Sequence, residues 1–128
     1  MKLRIRGNSV RLRLTRPEVA ELADGRAVIE SVHFSPTSRL QYAVTSDAQL
    51  RAPRAIFAND CLTVSLPKDD VLRWHGSEAV SLRGSQALSG GDSLSILVEK
   101  DFPCLVPREG EDESGAFART PGAPACSD

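Results

Sequence analysis

A shift of 52 residues lays one strand-and-helix pattern of this 128-residue chain over another. Residues 10–22, VRLRLTRPEVAEL, fall on residues 62–74, LTVSLPKDDVLRW. Each stretch alternates apolar and polar residues, as a strand with one buried face does. Each then changes to helical spacing behind an acidic first turn. Beyond the helix, Ala27-Val28 falls on Ala79-Val80, and the alternating pair Tyr42/Val44 on Leu94/Ile96. Across residues 2–30 only Leu14/Leu66, Val19/Val71, Ala27/Ala79 and Val28/Val80 are identical, so the match is one of pattern. It predicts a fold of two like halves, pseudo-repeats 2–46 and 54–100, from an internal duplication.

The local signals supply the elements of each half. Leu3 and Ile5 alternate with Lys2, Arg4 and Arg6, and Val10, Leu12 and Leu14 with Arg11 and Arg13. Gly7-Asn8 between these runs tolerates positive φ, so the pair reads as a tight hairpin. Thr15 and Glu18 form a capping box around Pro17, and Asp24-Gly25 ends the helix that follows. Residues 26–34 and 40–45 are the next two strands. In the second half, residues 54–58 and 61–66 flank an Asn59-Asp60 turn, Pro67 and Asp69-Asp70 open a helix, and residues 78–83 and 93–99 close the set. Strand–strand–helix–strand–strand, twice, predicts an antiparallel α+β domain of about eight strands and two short helices. Closure into a barrel would remove exposed sheet edges.

The length predicts a single compact domain over residues 1–106. Residues 107–128 carry three prolines, three glycines and Glu109, Glu111, Asp112 and Glu113, a composition expected of a disordered acidic tail. No apolar run reaches the roughly 18 residues that cross a bilayer, and the opening residues lack the apolar core of a secretory signal. A cytoplasmic protein with no membrane partner is expected, and the odd, widely spaced Cys61, Cys104 and Cys126 agree. A monomer suits the two-halves reading.

Two groups of residues are candidate sites. Arg4, Arg6, Arg11, Arg13 and Arg16 lie in an opening segment with no acid, and a rigid β-ribbon of guanidinium groups suits phosphates or another anion. Nucleic acid and an acidic protein are the partners this predicts. The opposing reading is a solvated face paired with Glu18, Glu21 and the tail, favoured by a pI near 6.1. The second group is Glu99, Asp101 and Cys104 at a strand end, with His75. Carboxylates, a thiol and an imidazole are ingredients of acid–base or nucleophilic chemistry. A small enzyme or ligand-binding barrel is the function this group implies; a strand end packed in the core is its structural counterpart. No chelating spacing links the cysteines and histidines, and no phosphate-cradling glycine loop is present, so neither metal nor cofactor is expected.

Two resemblances follow from these residues. The opening MKLRIRGNSVRLRLT, with VEKDFPCL at residues 98–105 and the acidic stretch after it, resembles a family of short, uncharacterised bacterial proteins over nearly the whole chain. That resemblance implies no activity. The order of elements, with residues 64–71 (VSLPKDDV) leading from strand to helix, is similar to the AbrB/SpoVT swapped-hairpin barrels. It implies a hairpin-exchanged barrel and DNA binding through basic residues near Arg4, Arg6, Arg11 and Arg13. The chain departs from that pattern in lacking Gly-Arg before the second strand, and in offering Thr63 and Ser65 where the first half has Arg11 and Arg13.

Overall fold

The computed structural model describes residues 1–101. The acidic tail and Cys104 lie outside the described residues. The chain runs β1 (Lys2–Ile5), β2 (Ser9–Leu14), α1 (Arg16–Ala23), β3 (Val28–Ser35) and β4 (Ser38–Asp47). The second half repeats that order as β5 (Arg54–Ala58), β6 (Cys61–Pro67), α2 (Lys68–His75), β7 (Ser81–Ala87) and β8 (Ser93–Lys100).

Local chemistry explains the element ends. Gly7 takes φ 54° between β1 and β2, and Asn59 and Asp60 take φ 52° and 59° between β5 and β6. Consecutive positive φ values match the right-handed twist of the strands they join. At the start of α1 the Glu18 carboxylate accepts the Thr15 amide at 2.8 Å, which completes the capping box.

The eight strands form two four-stranded sheets, β1-β2-β8-β7 and β3-β4-β6-β5. Each sheet takes one hairpin from each half, and the hairpins meet in parallel, β2 along β8 and β4 along β6. The expected antiparallel sheet is therefore mixed. The 52-residue offset holds for the first hairpin: Lys2 faces Arg13 as Arg54 faces Ser65. Beyond the helices the equivalent pairs are 54 residues apart, Val28 facing Val44 and Leu82 facing Val98. Two of the four identities, Ala27/Ala79 and Val28/Val80, thus fall out of register. A slip of two preserves the inward and outward faces, so the pattern survives while the residue match does not.

The alternating residues meet in one core. Val10, Leu12, Leu14, Leu62, Val64, Leu66, Ile96 and Val98 come from the four central strands but β4, which adds Val44. Val19 and Leu22 of α1 and Val71 and Trp74 of α2 fill the same core, and the two helices pack on each other.

The expected closed barrel does not form, and the two corners where the sheets approach show why. At the β5–β7 corner the Gln86 carboxamide spans the gap. It accepts the Ala55 amide at 2.7 Å and donates to the Ala55 carbonyl at 3.0 Å, copying a strand pair with one side chain. Gly84 lets Pro53 close in; a β-carbon there would lie 3.0 Å from the proline ring. At the β1–β3 corner the position equivalent to Gln86 is Val32, which has no hydrogen-bonding side chain, and that of Gly84 is Glu30. Here the Met1 ammonium lies 2.8 Å from Glu18 and 3.5 Å from Glu30. Two sheets clasped by side chains at their corners replace continuous backbone pairing.

Glu30 also accepts the Tyr42 hydroxyl at 3.0 Å. Burial first, then this hydrogen bond and the charge of Glu30, push the Tyr42 pKa up from 10.0 to about 12. Tyr42 is the one tyrosine of the chain, so tyrosinate absorbance reads it alone. Its midpoint is expected near 12 in the folded protein and near the ordinary value of about 10 when unfolded. Because the folded value is the higher, this contribution to stability is complete below pH 10 and is lost as pH rises through 12. A folded-state midpoint near 10 would remove the Glu30 contact from the account.

Candidate anion-binding face

The outward residues of the first sheet line up in rows set by strand register. One row is Lys2, Arg13, Glu99 and Ser81; the next is Arg4, Arg11, Leu97 and Arg83. Arg6, joined to Ser9 by its amide at 3.2 Å, continues the face toward the β1–β2 turn. The pattern has a local cause: an inward Val10, Leu12 and Leu14 oblige Arg11 and Arg13 to point outward. It also has a non-local one, since only the parallel β2–β8 pairing brings Glu99 to them.

Glu99 is the hinge of the electrostatics. One of its oxygens accepts from Nε of Arg11 and from Nε of Arg13, each at 2.6 Å, and the residue is 9% exposed. Neighbouring guanidinium groups repel, and a carboxylate between them turns the repulsion into two charge-assisted hydrogen bonds. Lys2 lies 3.8 Å from Asp101, whose amide donates to the Leu14 carbonyl at 2.9 Å. Six cations (Lys2, Arg4, Arg6, Arg11, Arg13, Arg83) thus share the face with two carboxylates.

The surplus is concentrated in one place. Arg4, Arg6 and Arg83 are exposed and have no carboxylate partner among the described residues. Together with Arg11 they line a groove of about 370 Å³, floored by Leu97 and Ser95. Arg83 completes this ring from β7, 77 positions beyond Arg6, and sequence reasoning missed it. The signal available was an arginine alternating with Leu82 on a strand; nothing local shows that its strand joins the first hairpin. Arg16 is different. It stands at the first position of α1, off the sheet face.

The second sheet shows what the same scaffold does without these charges. The positions equivalent to Arg11, Arg13 and Glu99 are Thr63, Ser65 and Thr45. Thr45 and Ser65 share a hydrogen bond at 3.0 Å. Arginines and acid thus stand together on one sheet, where the equivalent positions of the other carry hydroxyls.

The other candidate group is only partly assembled. Glu99 faces the arginines, Asp101 faces Lys2, and His75 is exposed at the end of α2 with no hydrogen bond or ion pair to either. Cys104 is outside the described residues. Cys61 is a half-buried free thiol 3.6 Å from the Thr63 hydroxyl. Among the described residues no three His, Cys, Asp or Glu side chains cluster as metal ligands, and no helix is long and apolar enough to cross a membrane.

The model of DUF7009, a family of unknown function, matches residues 1–121 of the chain. This agrees with the resemblance to an uncharacterised family. No curated protein and no solved structure matches, so the likeness to the AbrB/SpoVT barrels rests on the order of elements alone.

Proposed function

We propose a function from the site alone, because the chain belongs to a family of unknown function that supplies none. The protein is a non-enzymatic interaction module whose first sheet binds an anionic, phosphate-bearing partner, nucleic acid first among them. The observation that carries this reading is the groove in which Arg4, Arg6 and Arg83 converge beside Arg11 without a carboxylate of their own. Glu99 and Asp101 neutralise one end of the face and hold its arginines in place. The other end keeps exposed guanidinium groups on rigid strands, which is the arrangement that recognises phosphate oxygens bidentately.

Fluorescence anisotropy of labelled random duplex DNA, titrated at several salt concentrations, tests the reading. Affinity should fall steeply with salt, because bound phosphates release counterions. Replacing Arg4, Arg6 and Arg83 together by glutamine should weaken low-salt binding more than tenfold. It should also reduce the slope of log K against log salt by about 3, one contact per arginine. The circular dichroism spectrum should not change, since all three are exposed and unpaired among the described residues. Absence of binding at low salt, or binding that the triple variant leaves intact, overturns the proposal.

A further inference from the structure

The two sheets have four edge strands, β1, β7, β5 and β3. Three of them are protected. The β5 and β7 edges meet at the corner that Gln86 clasps and Pro53 fills. The β1 edge carries Lys2, Arg4 and Arg6, and charge on an edge strand deters pairing with another chain.

Between Glu30, which lies 3.5 Å from the Met1 ammonium, and the register shift that begins after His33, the β3 edge has neither a lysine or arginine nor a side-chain clasp. It runs eight residues, VIESVHFS, pairs with β4 alone, and is exposed from Ser31 to Ser35. It holds no lysine, arginine or proline. Ile29, Val32 and Phe34 are 58%, 41% and 71% exposed, while the strand's own amides and carbonyls face outward along the free edge. Val32 stands where the other corner has its clasping glutamine and supplies no such clasp, so the tie at this corner is the Met1 ammonium beside Glu30 at 3.5 Å.

From the charge pattern of this edge we infer that β3 is a self-association surface, and that its partner is a second copy of the same strand in antiparallel pairing. A two-fold axis perpendicular to the sheet places residues of like face opposite each other. Centred on Val32, it sets Val32 against Val32 and Ser31 against His33, up to the register shift between His33 and Ser35. No like charges meet. The same operation on β1 sets Lys2 against Arg4, or Arg4 against itself, and is repulsive in either register. The β3 edge is thus self-complementary where β1 is not. Pairing would join two copies of the second sheet into one eight-stranded sheet, an isologous dimer, and would cover the Val32 side chains at its centre. It leaves the cationic face of each first sheet untouched, so it stands independently of the proposed anion binding.

Sedimentation velocity of the full chain, from micromolar to near-millimolar concentration, tests this. A dimer is expected. V32K and F34K place the missing edge charge on β3 and, combined, should weaken dimerisation about a hundredfold with an unchanged circular dichroism spectrum. A monomer across the range, or a dimer that persists in the double variant, overturns the inference. Amide exchange of the unmodified protein gives a second reading that needs no variant. Protection in residues 29–35 should rise with protein concentration, and concentration-independent exchange there also overturns it.

Discussion

Glu99→Ala is expected to cost about 3 kcal/mol of stability, measured by urea unfolding at low ionic strength. Glu99 is nearly buried, and both Arg11 and Arg13 donate to one of its oxygens. Its removal leaves two adjacent guanidinium groups with no anion between them. Their side chains remain 28% and 19% exposed, so water can take up part of the loss. That places the effect at the lower end of what breaking a buried pair costs. Glu99→Gln keeps the volume and removes the charge, so it separates electrostatics from packing. A cycle with Arg11→Met measures the pairwise part directly. Glu99→Gln should also tighten anion binding, because it adds one net positive charge to the face. Opposite signs for stability and affinity distinguish a binding face from a merely solvated one. Unchanged affinity in Glu99→Gln would detach this carboxylate from the proposed function.

Trp74→Ala is expected to destabilise by about 4 kcal/mol, which for a chain of this size removes a large share of the total. Trp74 is 1% exposed and lies at the meeting of α2 with both sheets' core residues. Its indole N–H donates to the Val80 carbonyl at 3.1 Å, fixing the turn between α2 and β7. The Lys100 ammonium sits 5.9 Å from the ring centre and donates to the Ser77 carbonyl at 2.8 Å in the same turn. Burial pulls the Lys100 pKa down, against an upward pull from Glu78. Removing the indole therefore opens a cavity, leaves the Val80 carbonyl with the Lys100 amide at 2.9 Å but without its second donor, and withdraws the ring beside a buried ammonium. Trp74→Phe retains most of the apolar area and should cost about half as much, mainly through the lost hydrogen bond. Equal losses for the two variants would mean that the Val80 contact, not the packing, is what Trp74 supplies.

Much of the local structure was open to reading from the residues. Alternation placed Leu12, Leu14, Val64 and Leu66 inward and Arg11 and Arg13 outward, as observed. Gly7 and Asn59-Asp60 took the positive φ that their turns require, and Thr15 with Glu18 capped the first helix. Such signals act within a few residues, where steric and hydrogen-bonding preferences do not depend on the rest of the chain. The candidate site was half visible for the same reason: the β1–β2 arginines could be listed, but neither their acid partner nor Arg83 could.

Amino-acid sequence by itself thus determined the α+β class, the order of elements, the faces of each strand and the cationic character of the first hairpin. Tertiary structure decided which hairpins share a sheet, that they meet in parallel, and that the sheets stay open. Glu99 lies 86 residues from Arg13 and was read from the sequence as part of a different site. Its role as the counter-charge depends on how the two halves dock. Closure likewise turned on single side chains, Gln86 at one corner and Val32 at the other, which alternation alone treats as ordinary strand residues. Register between distant strands is set by the fit of whole core faces and by their corners. No short stretch of sequence contains that information, because each hairpin satisfies its own local preferences in either pairing.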